Sequence, residues 1–495
     1  MRKNSVIEYI KDYARTQPDK YAVCELRKNV TYRQYWERIC KMATVLLAKD
    51  VMKGIHVVLR CTQNIDYLVI FSALQYIGAI TIPVEKSLGA ERMKEIADAV
   101  DANVVIADED MDGVCLLKSK ELVKEAEEAT VAQMAMPNAS DVSMILFTTG
   151  TTGKSKGVVM THLGDVAVSE NVIQGTKMTK DNVEIIPMPL NHAFGIRRYQ
   201  SDMVNGGAVC LMDGMVFVGT VWKLIDKYSV TAMALSPASL SMIFELSGDR
   251  IGEYKDQLQY IQIGSAPLPE ADKQRLIRLM PNLRLYNFYG SSEAGCSCIL
   301  DFNSVDNKVG CIGRPTVNSR IRFVDENGTE ATNVSEENPA PLAWGGTFVM
   351  KEYYKEPKLT AKTMVDGYII TKDLAYLDEE GRCILVGRSD DIINYGGSKI
   401  SPAEVEDCAR GYENIVECAY SSRPDAITGE IPVMLVVKKE EYNQAAFEAY
   451  LEERLEGYKM PREYYFTDEI PKTFKGSLLR KEIKSIIMNK IQGGN

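Results

Sequence analysis

Eleven consecutive residues, Phe147-Thr-Thr-Gly-Thr-Thr-Gly-Lys-Ser-Lys-Gly157, hold three glycines, four threonines, a serine and two lysines. Such a stretch cannot contribute to a core. Glycine lets backbone amides approach an anion closely, threonine hydroxyls donate further hydrogen bonds and the lysines add charge, so the segment reads as a polyphosphate cradle. A flexible surface turn needs two or three special residues and leaves most of the eleven unexplained. The loop is not of the Walker type, because Gly150 and Gly153 are separated by two residues where that motif has four. A strand is also predicted to follow it, at residues 158–160, where the Walker loop opens a helix. Ordinary P-loop nucleoside triphosphatases are therefore disfavoured. Three other segments hold polar groups worth weighing. Taken alone, His192 in Pro189-Leu-Asn-His192-Ala-Phe-Gly195 reads as a satisfied core histidine, and Glu293 in Tyr289-Gly-Ser-Ser-Glu293 as a solvated loop glutamate. The glycine pair of Asn394-Tyr-Gly-Gly-Ser-Lys399 reads as a hairpin turn.

A cradle needs a rigid frame, and the apolar run at 142–146 supplies a strand leading into it. Helical patterns at 32–49 and 90–100 alternate with short apolar runs at 57–60, 104–107 and 208–212, the signature of largely parallel sheets covered by helices. The most apolar stretch, 65–84, contains Asp66 and Gln75, and Gly78 splits it into a helix (67–77) and a strand (79–83). It is a buried βαβ element and not a membrane span. Between 313 and 349 the texture changes to short strands and turns, at 320–324, 325–328 and 346–349, predicting a small β-rich subdomain. A strand-turn-strand pattern follows at 383–388 and 392–400. Then Ser401-Pro-Ala-Glu404 forms a capping box with proline at the first helical position. A strand at 433–437 and a helix at 444–455 complete the reading. The predicted fold is α/β: a large domain over residues 1–387, built of helix-covered sheets with the β-rich subdomain, and a small mobile α+β domain over residues 388–495.

Composition agrees with this and narrows the partners. A chain of 495 residues, 45% apolar and 25% charged, is globular and too long for one small domain. Its net charge of −10 argues against nucleic acid, so any anion must be held locally. Eleven cysteines scattered from Cys24 to Cys418 predict reduced thiols and not a disulfide scaffold. Cys296 and Cys298 lack a second Cys/His pair, and His56, His162 and His192 are far apart in sequence, so a structural zinc site is not expected. No signal-peptide pattern opens the chain; a cytoplasmic protein without stable membrane insertion is expected.

The motifs resemble, in the same order, those of the acyl-adenylate-forming (ANL) superfamily, which comprises acyl-CoA synthetases, adenylation domains and luciferases. Besides the loop, they are Pro189-Leu-Asn-His192, Gly264-Ser-Ala-Pro-Leu268, Tyr289-Gly-Ser-Ser-Glu293, Thr371-Lys-Asp-Leu374, Gly387-Arg-Ser-Asp-Asp391, Gly397-Ser-Lys-Ile-Ser-Pro-Ala-Glu404 and Pro471-Lys-Thr-Phe-Lys-Gly476. The resemblance covers residues from about 10 to about 485. It implies that a carboxylate attacks the α-phosphorus of ATP, pyrophosphate leaves, and a thiol then attacks the acyl-AMP. It further implies that Thr148, Thr149, Gly150, Thr151, Thr152, Gly153, Lys154 and Lys156 hold the leaving phosphates and that Glu293 ligates Mg²⁺. Gly264, Ser265 and Ala266, with Asn287, Phe288, Tyr289, Gly290, Ser291 and Ser292, would wall the nucleotide site. Asp373 and Arg388 would bind the ribose hydroxyls. By the same resemblance Asp390 is a hinge about which the small domain rotates, bringing Gly396, Gly397 and Lys399 to the thiol channel.

His192 then becomes a catalytic candidate beside the acyl pocket. Amino-acid-activating relatives carry an aspartate near it, and residues 185–201 contain no Asp or Glu. A buried ammonium without a counter-charge is costly, so a fatty or aryl acid is expected, not an α-amino acid. Lys372 stands where relatives have glycine, and Ser155 where they have proline. Ser477 replaces the adenylation lysine, whose loss removes a charge-assisted contact worth roughly 10²- to 10³-fold in rate. Lys475, on the same side of an extended segment and about 7 Å away, is the candidate substitute. The expected activity is an ATP- and Mg²⁺-dependent acid–thiol ligase with a small carboxylic acid as substrate. The acceptor is coenzyme A or, alternatively, the phosphopantetheine of an acyl carrier protein. A degenerate homologue that binds nucleotide without efficient adenylation is the reading that Ser477 favours.

Overall fold

Asn64 accepts a hydrogen bond from the Tyr67 N–H and starts a helix over Ile65–Ile77 in which every residue but Asp66 is buried. A helix apolar on all sides belongs inside a protein, and this one delivers the chain into strand Ile80–Val84 of a seven-stranded sheet. The computed structural model describes residues 2–493 apart from 132, 149–155, 216, 265–267, 304–309, 326–327 and 473–477. The chain forms two compact units, Met1–Ser304 with Pro315–Arg320 and Trp344–Ile369, and Val305–Arg314 with Ile321–Ala343 and Ile370–Asn495.

The larger unit contains two sheets. In the first, the strand order is Glu352–Tyr353, Lys156–Thr161, Val142–Thr148, Ile80–Val84, His56–Arg60, Val104–Ile106 and Cys115–Leu117. Pairing is parallel from Val142–Thr148 to Cys115–Leu117, as the alternating pattern predicts, and antiparallel at the end that carries the loop. The second runs Gly295–Asp301, Arg284–Ser291, Tyr260–Ile263, Ala232–Leu235, Val183–Ile186, Ala208–Leu211, Tyr21–Cys24 and Asn29–Thr31, parallel except at its two ends. Helices His162–Thr176 and Ala193–Asn205 pack against each other and are buried along most of their length. The predicted helices at 32–49 and 90–100 appear as Tyr32–Ala48 and Ala90–Ala99.

In the smaller unit, strands Ser398–Ile400, Ile393–Tyr395, Gly429–Lys438 and Ile415–Asp425 form a sheet, with Glu463–Phe466 parallel to Gly429–Lys438. Helices Pro402–Arg410 and Gln444–Glu452 cover it with a core of Val405, Tyr420, Met434, Val436, Phe447 and Leu451. Two expectations are corrected. Residues 346–349 are a turn and not a strand, because Gly346 sits at φ +147° and Phe348 folds into the core; the strand is Ala340–Gly345. Helix Pro402–Arg410 begins at the expected proline, but Ser401 makes no capping hydrogen bond, and the Glu404 carboxylate is instead 2.6 Å from the Lys459 ammonium. All eleven cysteines are free thiols. No helix among the described residues is long and apolar enough to cross a membrane.

One buried ion cluster ties the second sheet to its helix. Arg198, on Ala193–Asn205, reaches Glu184 on Val183–Ile186 through Nε at 2.6 Å, and Tyr260 donates to the same carboxylate at 2.7 Å. Both charges are out of solvent, at 1% and 0% exposure. Burial opposes the guanidinium's charge, but Glu184 outweighs it and holds Arg198 protonated. Removing one partner of such a pair strands the other. Arg198→Met is therefore expected to cost about 3–5 kcal/mol in the urea unfolding transition, and a loss below about 1 kcal/mol would refute the coupling.

Candidate active site

Strands Val142–Thr148 and Lys156–Thr161 pair antiparallel with Thr148 opposite Lys156, so the cradle joins the ends of two adjacent strands. Thr149, Gly150, Thr151, Thr152, Gly153 and Lys154 lie outside the described residues. Lys156 begins the strand after this segment, and its ammonium is 5.5 Å from the centroid of the Tyr353 ring. Tyr353 is placed there because Glu352–Tyr353 adds to the edge of Lys156–Thr161, with Tyr353 opposite Val158. Its hydroxyl donates to Glu293 Oε1 at 2.7 Å. Burial first, and then the neighbouring Glu293 carboxylate, raise the phenol well above its ordinary value, so Tyr353 stays protonated and stays a donor. Loop lysine, aromatic ring and carboxylate thus form one line within the larger unit.

Glu293 is held through its backbone as well. The Met350 N–H donates to its carbonyl at 2.7 Å, and the Ala294 N–H donates to the Ser291 hydroxyl at 3.0 Å. Gly290 permits the turn into strand Gly295–Asp301, since a Cβ there would lie 1.7 Å from the Gly295 oxygen. Arg197, on helix Ala193–Asn205, donates to the carbonyls of Ser291 and Ser292 at 2.7 Å each. Asp165, on helix His162–Thr176, is 2% exposed; burial pushes its carboxyl up to about 7, against the pull of Ser143 and Arg197.

The other predicted residues of this unit take distinct places. Asn287 donates to the Ile263 carbonyl at 3.3 Å, linking two neighbouring strands, and the Tyr289 ring stands 6.0 Å from that of Trp344. Phe288 points to the opposite face, into a core cluster with Tyr260 and Tyr286. The Phe194 ring lies 3.3 Å from where a Cβ on Gly264 would be, so the segment after His192 and the strand end at Gly264 are in contact. Ser265 and Ala266 lie outside the described residues. His192 is the N-cap of helix Ala193–Asn205; its N–H donates to the Pro189 carbonyl at 3.2 Å and its carbonyl accepts from Ile196. Gln63 clamps the preceding segment, donating to the Met188 carbonyl at 2.9 Å and accepting from the Leu190 N–H at 3.0 Å.

In the smaller unit, Asp373 and Arg388 face each other across an antiparallel pair, with Nη1 and Oδ1 3.3 Å apart. Arg388 also donates to Asp390 at 3.2 Å, and Lys372 binds the other Asp390 oxygen at 2.8 Å. Burial tends to raise Asp390, but these two cations prevail and hold it below its ordinary value. Gly396 and Gly397, at φ +58° and +90°, form the two-residue turn of a hairpin in which Asn394 pairs with Lys399; left-handed values at both positions make glycine the fitting choice. Lys475 and Ser477 lie outside the described residues. Sequence reasoning missed Tyr353, Arg197, Asp165 and Gln63, none of which sits in a recognisable motif.

Comparison with known proteins identifies the family. The chain matches the AMP-binding enzyme family over residues 10–354 and the AMP-binding enzyme C-terminal domain over residues 404–476. It belongs to that family, and it is an AMP-forming acid–thiol ligase, a class whose cofactors are ATP, Mg²⁺ and coenzyme A. It is 25% identical over 476 residues to 2-succinylbenzoate--CoA ligase of Bacillus cytotoxicus, covering 96% of this chain and 97% of that one. Among solved structures, ATP-bound MatB from Rhodopseudomonas palustris shares the fold with a TM-score of 0.87 at 22% identity, over 99% of both chains. The o-succinylbenzoate CoA synthetase (MenE) of Bacillus subtilis, in complex with the acyl-adenylate intermediate OSB-AMP, does so with a TM-score of 0.84 at 22% identity, over 96% and 97%.

Two outcomes follow from this geometry. Tyr353→Phe removes a hydrogen bond to a charged group, worth about 1.5–3 kcal/mol, and is expected to slow acid-dependent ATP–pyrophosphate exchange about ten- to a hundredfold in a chain that still folds but melts at a somewhat lower temperature; an unchanged rate would show that Glu293 needs no such partner. Asp165 carries a folded value above its ordinary 3.8, so between about pH 4 and pH 7 the folded chain keeps a proton that the unfolded chain has lost. Its contribution to stability is present below that window and falls as pH rises through it. Asp165→Asn has no proton to lose, and its melting temperature is expected to gain on the parent's between about pH 5 and pH 8; parallel profiles would contradict the burial argument.

Proposed function

We propose that this chain activates an aryl carboxylic acid as its acyl-AMP and transfers the acyl group to coenzyme A. The observation that carries the reading is that Tyr353 links Lys156, the residue that follows segment 149–155 in sequence, to Glu293. In this reading Lys156 and residues 148–154 hold the β- and γ-phosphates, so the acid's carboxylate attacks the α-phosphorus and pyrophosphate departs. Glu293 suits Mg²⁺, which is commonly held by one or two carboxylates together with phosphate oxygens and water. The ion, when bound, offsets phosphate charge. Catalysis is then mostly placement and electrostatic stabilisation.

Several features support the acid class. Residues 185–201 contain no carboxylate, and the helix that His192 caps turns its positive dipole end toward the segment assigned to the acid. That potential suits a carboxylate and repels an ammonium. The relatives aligned from end to end are named as ligases of 2-succinylbenzoate, an aryl acid, and coenzyme A, which favours coenzyme A over a carrier protein. His192 beside the acid, the nucleotide walls at 264–266, 287 and 289–292, and Asp373 and Arg388 on the ribose belong to the same proposal; Phe288, packed against the core, is not among the walls. So do the hinge at Asp390, the thiol-side Gly396, Gly397 and Lys399, Lys475 as substitute for the lysine absent at Ser477, the domain boundary at 387/388 and a cytoplasmic location.

The test is ATP–pyrophosphate exchange over aryl, aliphatic and amino acids, with mass spectrometry after coenzyme A is added. Exchange with aryl acids and an acyl-CoA product are expected; strong exchange with an amino acid would refute the acid class. If Lys475 does not substitute, Ser477→Lys raises exchange by roughly 10²- to 10³-fold, the worth of one such donor. Asp390→Pro is expected to spare exchange and abolish thioester formation, and loss of both would remove the hinge assignment.

A further inference from the structure

Helix Ala193–Asn205 carries two consecutive buried arginines with different partners. Arg198 is paired with Glu184 in the core cluster, whereas Arg197, 5% exposed, spends both terminal nitrogens on the carbonyls of Ser291 and Ser292. An arginine taken out of water for two peptide oxygens is an expensive way to join a helix to a strand, since neutral side chains or apolar packing would serve. The position of those oxygens accounts for it. They belong to the two residues before Glu293, and the planar guanidinium can clamp successive carbonyls in one plane where an ammonium cannot. Beyond Glu293, Met350 fixes its carbonyl and Tyr353 its carboxylate. Before the serines, Gly290 leaves no room for a side chain. Arg197 is the one charged group among these holders, and Asp165 lies within electrostatic range of it.

We propose that Arg197 is a positioning residue for Glu293: by clamping Ser291 and Ser292 it presents the Glu293 carboxylate to Mg²⁺ in the geometry that the metal–nucleotide complex needs. The inference rests on the reading of Glu293 as the magnesium ligand, and it assigns Arg197 no contact with acid or nucleotide. A purely structural arginine would affect folding and leave the metal response unchanged.

Calorimetry of ATP binding to the full chain, with and without Mg²⁺, separates these cases, with melting temperatures measured alongside. In the parent, Mg²⁺ is expected to tighten ATP binding. Arg197→Met is expected to lose about tenfold of that Mg²⁺-dependent gain, the scale of one charge-assisted contact, while binding of metal-free ATP is unchanged. Because that variant leaves the Asp165 carboxyl without its nearby cation, the paired variant Arg197→Met/Asp165→Leu removes both buried polar groups and is expected to recover the melting temperature but not the magnesium response. Arg197→Lys, which keeps the charge but not the planar fork, should fall between. A folded variant with the parent's full magnesium response would overturn the assignment, as would an effect confined to the KM for the acid. Absence of any magnesium response in the parent would instead overturn the reading of Glu293 as well.

Discussion

A chain of net charge −10 that holds a nucleoside triphosphate must assemble positive potential locally while keeping a carboxylate close by for the metal. Those two demands conflict. In the proposed site, Lys156 and Glu293, if left to meet, would neutralise each other and compete with the phosphate and Mg²⁺ assigned to them. The Tyr353 ring separates them: its face takes the ammonium at 5.5 Å, and its hydroxyl donates to the carboxylate at 2.7 Å. Both charges are partly satisfied and both remain available. The edge strand Glu352–Tyr353 is short, and its register against Lys156–Thr161 decides where that ring stands, so a slip of one residue would turn Tyr353 to the other face.

The same economy governs the buried arginines. Arg198 serves stability, in a closed cluster with Glu184 and Tyr260, all below 2% exposure. Arg197, one residue earlier, faces the strand end that bears Glu293. Consecutive helical residues point about 100° apart, so one helix links the core cluster to the site without either arginine bending away from its turn. Buried charges in the site and buried charges in the scaffold are therefore mechanically joined through Ala193–Asn205, which His192 begins.

Much of this was legible in the sequence, and the part that was not has a physical reason. The loop announces itself because eleven residues of one chemical character have no structural excuse, and the βαβ element at 65–84 because Asp66, Gln75 and Gly78 break an otherwise apolar run. Tyr353, Arg197 and Gln63 gave no such signal. Each is of a common residue type, and their partners lie 60, 94 and 125 residues away along the chain, so only the folded register brings them to Glu293, Ser291 and Met188. The capping box at Ser401 failed for a related reason: Glu404 is drawn to Lys459, 55 residues on, and a long-range ion pair displaced the local one. The strand expected at 346–349 failed locally instead, since the backbone of Gly346 lies outside the region an ordinary strand residue adopts.

Lys372 is a departure in sequence to which the fold gives a definite partner. It occupies a position where glycine was expected, and in the fold its ammonium binds Asp390, the proposed hinge, which Arg388 also contacts. A lysine locking a hinge would oppose the domain rotation. The magnitude decides against a lock: the two side chains are 60% and 42% exposed, and pairs so exposed are worth roughly 0.2–1 kcal/mol, or at most about a fivefold bias in any conformational equilibrium. The pair of Asp373 with Arg388, with the carboxylate only 18% exposed, is the better shielded of the two contacts. Lys372 therefore tunes the electrostatics around Asp390 without fixing it, and a hinge there, as proposed, would not be locked by this pair.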